Sequence, residues 1–279
     1  MAKSVQGIVY HAFVSILGLF MLYPVLWTLA SSLKPENEIF VNAASLIPSR
    51  LEWKNYAEGW AGFGTAGFSL FFRNSAIVTV VTVAGTLFSS TLVSYGFARL
   101  NFRYKPALFA CLLSTLMLPG QVTLIPQYIL FHKLGWVNTF LPLVVPAFIG
   151  GVPFFIFLMI QFIRGIPKEL DQAAFIDGCG TFGIFRHIVL PLTMPALATV
   201  SIFSFYWTWT DFMGPLIYLN KPELYTASLG LRMFSDPSAV TAWGPMFAMS
   251  ILSLLPVIVI FLFCQKYLVQ GIATTGLKG

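Results

Sequence analysis

Six long, nearly uncharged apolar stretches divide this chain, and they restrict its fold more than any other feature. A helix needs roughly 20 mostly apolar residues to cross about 30 Å of hydrocarbon. Each stretch reaches that length: Ile8–Leu29, Ala76–Phe97, Ala107–Phe131, Thr139–Phe162, Met194–Leu219 and Gly244–Tyr267. Charged residues are 9% of the 279 and hydrophobic ones 57%, whereas a soluble domain carries roughly 25% charge. Too little charge exists to cover a soluble globule, and the mean hydropathy of +0.82 agrees. A β-barrel would need alternating segments of about 10 residues, which are not apparent. The predicted class is an all-α integral membrane protein with six transmembrane helices.

The first stretch outlasts the roughly 7–15 apolar residues of a signal peptide, and no small-x-small cleavage site follows it. It reads as a retained helix. The second, AIVTVVTVAGTLFSSTLVSYGF, is uncharged and rich in small residues that permit close helix contact in a bundle.

Charge sets the orientation. With both termini cytoplasmic, the inner side holds nine Lys and Arg with three acidic residues, and the outer side seven of each, so the whole +6 excess falls inside. The inner links are also shorter and denser in Lys and Arg, as the positive-inside rule requires. A basic total therefore reports topology, and nucleic acid is not an expected partner. Cys111, Cys179 and Cys264 fit no disulfide or zinc spacing, and His11, His132 and His187 are equally scattered, so no metal site is expected. No G-x-x-x-x-G-K-[ST] occurs, so the chain has no P-loop for ATP.

The link ELDQAAFIDGCGTFGIFRHIVLPLTMP, residues 169–195, is too patterned for a plain connection. Pro167 suits a first helical turn, and Ile166, Leu170, Ala173 and Ala174 repeat at helical spacing. Asp177-Gly178 ends that helix, with Gly free to take the left-handed cap. Thr181 is placed to cap a second helix carrying Phe182, Phe185, Ile188 and Val189, which Leu190-Pro191 stops before the fifth span. The apolar face of this helix–turn–helix either packs on the chain's own spans or fills a groove on a partner, as amphipathic helices do.

The spacing Ala173-Ala174, three residues, Gly178, nine residues, Ile188-x-Leu190-Pro191 resembles the Glu-Ala-Ala loop of bacterial binding-protein-dependent ABC transporter permeases. SSLKPENEIF, LEWKNYAEGW and FFRNSAIVTV are similar in order to the first outer region of the carbohydrate branch. WTDFMGPLIYLNKPELYTASLGLRMF looks like its fifth span and following outer loop, with Thr210 at a position commonly Asn. QKYLVQGIATTGLKG is similar to the tail of the maltose-type second permease subunit. The resemblance covers nearly the whole chain, and departs from the family at Gln172, which stands where Glu is usual.

The resemblance implies one permease domain over 1–279, with outer loops near 34–73 and 220–243, a coupling loop near 165–191 and a cytoplasmic tail near 268–279. It implies a bacterial inner-membrane subunit paired with a related permease, a dimer of ATPase subunits holding ATP and Mg, and an extracytoplasmic solute-binding protein. The substrate would be a sugar or oligosaccharide, and this chain would be no enzyme and hold no cofactor. Gln172, Ala173, Ala174, Asp177, Gly178, Phe182 and Phe185 would dock the ATPase, and Gly276 and Lys278 in the tail would also lie against it.

Span five concentrates aromatics in FSFYWTWTDF. Tyr206 and Trp209 are three apart and share a helix face, with Trp207 turned elsewhere. They line a sugar passage or belong to an interfacial belt of Trp and Tyr. Asp211 is the acidic residue inside a proposed span, and such carboxylates face a bundle interior or water. Ten of the 17 prolines also fall in spans, consistent with broken helices beside a cavity. A secondary transporter would use Asp211 for proton coupling but leaves the loop and tail unexplained. A polytopic membrane enzyme would need paired acids or histidines near one face, where Glu169, Asp171 and Asp177 already have the loop as their explanation.

Overall fold

The computed structural model describes residues 2–62, 66–235 and 241–276, and no extended strand forms among them. The helices are α1 (Ala2–Ser32), α2 (Lys54–Ala61), α3 (Phe68–Arg99), α4 (Lys105–Met117) and α5 (Gly120–Lys133). Then come α6 (Leu141–Phe148), α7 (Pro153–Arg164), α8 (Lys168–Ile176), α9 (Thr181–Ile184) and α10 (Leu190–Leu192). Last are α11 (Met194–Trp209), α12 (Met213–Tyr218), α13 (Ala227–Gly230) and α14 (Trp243–Gly276). Among the described residues, Val9–Ser32, Phe68–Arg99, Leu141–Arg164 and Trp243–Gln265 are each long and apolar enough to cross a membrane, and two bent pairs bring the number up to six where each pair counts as one span.

The spans differ from their expected form where the backbone breaks. Ala107–Phe131, placed as one span containing Pro119 and Pro126, is broken, and α4 and α5 meet at 106°. Leu118 is extended (φ −80°, ψ 123°) because the ring of Pro119 crowds the residue before it out of the helical region. Thr139–Phe162 begins as helix only at Leu141 and pauses between α6 and α7, where Gly150 takes φ +87°, a conformation glycine adopts without penalty. The fifth span ends its first helix at Trp209 and resumes at Met213. Nor does Leu190-Pro191 stop the helix before that span. Phe185–Val189 widen into a π-turn, Leu190–Leu192 continue, and the 72° bend comes at Thr193. At the C-terminal end α14 stays helical through Gly276, past the point where the tail was expected to begin.

Contacts divide the chain into two compact units, Met1–Phe71 with Gly230–Pro256, and Phe72–Leu229 with Val257–Gly279. In the first, α1 is exposed from Val9 to Leu26. Its last turn is held by Asn55 of α2, 8% exposed, whose Nδ2 donates to the carbonyls of Ser32 (3.0 Å) and Lys34 (3.1 Å). Helix C-termini leave four carbonyls without partners, and Asn55 serves one of them.

The second unit is organised around α3. Ser75, Thr79, Thr82, Thr86 and Ser89 are buried and recur every three or four residues, so they form one face of small hydroxyl side chains. That face lets neighbouring helices approach closely and bonds to their backbones. Ser89 donates to the Ala147 carbonyl at 2.6 Å, Thr82 to the Leu143 carbonyl at 3.3 Å, and Ser204 of α11 to Thr86 at 3.3 Å. At one end of α3, Asn74 Nδ2 donates to the carbonyls of Glu223 and Tyr225, while Ser75 accepts the Ala227 N–H. Toward the Arg99 end, Tyr95, Phe155, Met159, Ile163, Phe185, Val189 and Val200 form an apolar core.

Asn55→Ala is expected to destabilise the protein by about 1–3 kcal/mol, the usual effect of orphaning a buried polar partner. A lower thermal midpoint in detergent, without loss of helical circular dichroism, is the expected result. An unchanged midpoint would show that water replaces the amide.

Candidate functional site

The patterned link folds as two short helices with a defined corner. Asp177 ends α8, and Gly178 follows at φ +85°. Its N–H donates to the Phe175 carbonyl (3.1 Å) while Cys179 N–H donates to that of Ala174 (2.9 Å). These are the two bonds of a Schellman cap, which satisfies the last carbonyls and reverses the chain. The expected start and end residues shift slightly. Pro167 flanks α8 instead of opening its first turn, and Gly180, not Thr181, precedes α9, where no side chain caps the helix.

The apolar residues of the link divide between two environments. Ile166, Ala174, Ile184, Phe185 and Val189 are buried in the core at the Arg99 end of α3. Phe175, Ile176 and Phe182 are 73%, 84% and 69% exposed, and Leu170 is 43% exposed. Gln172, Ala173, Asp177 and Gly178 are also on the exposed side. Ala173 and Ala174 therefore separate, one facing out and one in, as do Phe182 and Phe185. The buried members pack on the chain's own helices, as the first reading expects, and the others are left exposed.

What fixes the link to the bundle is a clamp that the sequence reading overlooked. Arg99, 5% exposed, places Nε 2.7 Å from Asp171 Oδ2 and donates Nη2 to the Ile166 carbonyl at 2.8 Å. Nε makes no hydrogen bond there, so the contact is an ion pair. Arg99 Nη1 and Asp171 Oδ1 have no hydrogen-bond partner among the described residues. One turn earlier on the same face, Tyr95 donates its hydroxyl to the Thr181 carbonyl at 2.9 Å, and its ring meets Phe185 at 5.0 Å. Tyr95 thus holds the start of α9, and Arg99 holds the start of α8. A displacement of either helix must strain α3. The only hint in the sequence is a Tyr and an Arg four apart at the end of an uncharged span. Their partners lie 67 to 86 residues further on.

The aromatic region of α11 arranges itself otherwise than the spacing indicated. Trp209 is 5% exposed and packed against Phe72 and Phe205, whereas Tyr206 is 48% exposed. Tyr206 lines a shallow apolar pocket of about 300 Å³ with Ile202, Phe203, Val257 and Phe261. Asp211 lines a separate cavity of about 210 Å³ with Trp207, Thr208 and Thr226, so the tryptophan beside the carboxylate is Trp207 and not Trp209. Asp211 also has a structural task. Its Oδ1 accepts the Gly214 N–H at 3.1 Å, and its carbonyl accepts the Ser228 hydroxyl, which joins the break between α11 and α12 to α13. In the tail, Gly276 is the last residue of α14, and Lys278 lies outside the described residues.

Comparison with known proteins agrees with this architecture. The family described as "Binding-protein-dependent transport system inner membrane component" matches residues 90–274, which contain α8, α9 and the clamp's Arg99. The chain belongs to this family of ABC transporter permeases. A probable ABC transporter permease protein, YurM, of Bacillus subtilis (strain 168) is 38% identical over 257 residues, covering 92% of this chain and 84% of the relative. The arabinooligosaccharides transport system permease protein AraQ of the same organism is 33% identical over 278 residues, 99% of this chain and 97% of the relative. The maltose/maltodextrin transport system permease protein MalG of Photorhabdus laumondii is 31% identical over 274 residues, 93% of this chain and 91% of the relative. Among solved structures, a bacterial ABC transporter involved in the import of the acidic polysaccharide alginate matches with TM-score 0.82 and 20% identity over 96% of this chain and 98% of that chain. The fold is that of an ABC importer permease.

Arg99→Met is expected to destabilise the link by about 3 kcal/mol, because it strands the Asp171 carboxylate and the Ile166 carbonyl. Chymotrypsin should then cut faster at Phe175 and Phe182 in the purified protein. Pairing it with Asp171→Leu should recover part of the loss, and a fully additive double variant would mean the two side chains do not interact.

Gly178→Val should cost about 1–2 kcal/mol, the penalty for a side chain in left-handed backbone. Nothing lies within 4 Å of the added Cβ, so strain alone acts, and Gly178→Asn should be milder. Equal midpoints for the Val and Asn variants would exclude the left-handed corner.

Proposed function

We propose that this chain is the membrane-spanning subunit of an ATP-driven importer for a sugar or oligosaccharide. It works beside a related permease, above a dimer of ATPase subunits that hold ATP and Mg, and below an extracytoplasmic solute-binding protein. Both termini face the cytoplasm, the side on which the positive excess accumulates. The observation that carries the reading is the link 165–191. A Schellman-capped helix pair, clamped to α3, leaves Gln172, Ala173, Phe175 and Phe182 exposed in the segment whose sequence resembles the family's docking loop. The sugar assignment draws on relatives named for arabinooligosaccharide and maltose/maltodextrin transport that align over nearly the full chain.

Hydrolysis belongs to the ATPase subunits, and this chain converts their closure into movement. Nucleotide binding draws the docked α8 with it. Through Arg99 and Tyr95 that displacement reaches α3, and the permease pair alternates between inward and outward openings. The nucleotide and the loaded binding protein each bias that two-state equilibrium. On the substrate path, Tyr206 offers a ring to the apolar C–H face of a sugar, and Asp211 with Trp207 lines a smaller polar recess. The C-terminal tail, the part of the sequence with Gly276 and Lys278, contacts the ATPase pair.

The test is uptake by proteoliposomes carrying the importer and its own binding protein, with ATP inside and labelled oligosaccharides outside. ATP-dependent accumulation of one sugar class is expected. Uptake driven by an ion gradient without ATP would overturn the reading.

Gln172→Glu tests the docking face. Charge-assisted hydrogen bonds are roughly twice as strong as neutral ones. If Gln172 meets a basic group on the ATPase, the substitution should tighten co-purification at low salt, and salt should erase the gain. No change at any salt would remove Gln172 from the docking face.

A further inference from the structure

Between α1 and α2 runs a segment held in an unusual way. Lys34 is fully buried, yet no carboxylate pairs with it among the described residues. Its Nζ donates instead to two carbonyls of the segment ahead, Asn42 (2.9 Å) and Ser45 (2.6 Å). A buried ammonium without hydrogen bonds is very unfavourable, so these bonds fix the curve of residues 36–47 tightly. Two further contacts set where that curve lies. Trp27 Nε1 donates to the Ala43 carbonyl at 2.7 Å, and the Phe40 ring meets Trp243, the first residue of α14, at 5.0 Å.

Trp27 lies five residues before the end of α1 at Ser32. At 1.5 Å per residue, the Ala43 carbonyl is held about 7–8 Å back along the span from its end. Amphipathic segments lying in a membrane surface sink about 5–10 Å, to the boundary of headgroups and acyl chains. The curve thus returns to the depth at which a lipid interface begins.

The curve presents large apolar side chains there, among the exposed polar Glu36, Asn37, Asn42 and Ser45. Ile39 is buried beneath it, while Phe40, Val41 and Ile47 are 54%, 83% and 82% exposed, and Trp53 just beyond is 65% exposed. α1 itself is exposed from Val9 to Leu26, and the next residue, Trp27, is the one that holds the curve at Ala43. The nearby cations are already neutralised, Arg50 by Glu52 and Lys54 by Glu58. Apolar insertion, not attraction to anionic lipid, is the available source of binding.

We propose that residues 36–47, stapled by Lys34, form an interfacial anchor. The anchor sinks Phe40, Val41 and Ile47 into the phospholipid leaflet at the C-terminal end of α1. It sets the depth of α1, a helix that its own chain leaves exposed along most of its length. The inference does not depend on which sugar is carried, nor on which side of the membrane that leaflet faces.

The test places nitroxide labels at Val41→Cys and Ile47→Cys, with Glu58→Cys as a water-exposed control. The background carries Cys111→Ala, Cys179→Ala and Cys264→Ala and must retain uptake. The assembled importer is reconstituted in phospholipid bilayers, and collision rates with oxygen and with a neutral nickel chelate are read. Labels at 41 and 47 should show an oxygen-to-nickel ratio several-fold above the control, the signature of lipid. High nickel accessibility would mean water and would overturn the proposal. Low collision with both reagents would mean a protein partner covers the patch, and would overturn it equally. Lys34→Met should shift the label at 47 toward nickel, and an unshifted ratio would overturn the role of the staple. Should that variant misfold, the readings at 41 and 47 with Lys34 in place still decide the anchor.

Discussion

A broken helix inside hydrocarbon must find new partners for the backbone groups it frees, and the bond from Ser89 to the Ala147 carbonyl shows how this chain meets that demand. Proline and glycine interrupt the third and fourth spans, at Leu118-Pro119 and Gly150. At the end of α6 a side chain of α3 takes the place of the missing intrahelical N–H. Asn74 does the same for the carbonyls at Glu223 and Tyr225, and Asn55 for the end of α1. Ser89 and Asn74, both on the unbroken α3, are therefore splints for the interrupted segments beside them, while Asn55 on the short α2 closes the end of α1.

This division explains what the sequence made legible. Apolar length alone located the four long helices and the two bent pairs among the described residues, because the bilayer thickness imposes that length. The corner at Gly178 was equally readable, since a left-handed residue after Asp177 has few alternatives. Breaks were less so. Ten prolines sit in apolar stretches, yet Pro24 and Pro256 are absorbed within helices while Pro119 marks a 106° bend. The difference lies in whether neighbouring backbone is rescued by packing, and a linear pattern does not record packing.

The same limit applies to the site. Spacing assigned one strip to α8 and one to α9 but not which members faced inward, because Ala173 and Ala174 are equivalent by composition. The Arg99–Asp171 pair was invisible for a stronger reason. This pair joins residues distant in sequence, Arg99 at the end of α3 and Asp171 in α8, and a single sequence carries no record of that proximity. In the aromatic run of α11, an ideal helical wheel grouped Tyr206 with Trp209. The break at Thr210, with Trp209 stacked on Phe205 and edge-to-face with Phe72, brought Trp207 to Asp211 instead.

The hydroxyl face of α3 has a mechanical consequence. Large side chains interlock like teeth, and a helix bearing them must be lifted before it can move along its neighbour. Serine and threonine at 75, 79, 82, 86 and 89 give a surface of low relief. Their short side chains exchange one carbonyl or hydroxyl for the next with little rearrangement. Such a surface favours shear, the small sliding of packed helices, over the opening of a hinge. With Arg99 and Tyr95 gripping the link at one end and Asn74 and Ser75 the loop at the other, α3 is built as a piston rod, smooth along its shaft and fastened at both ends.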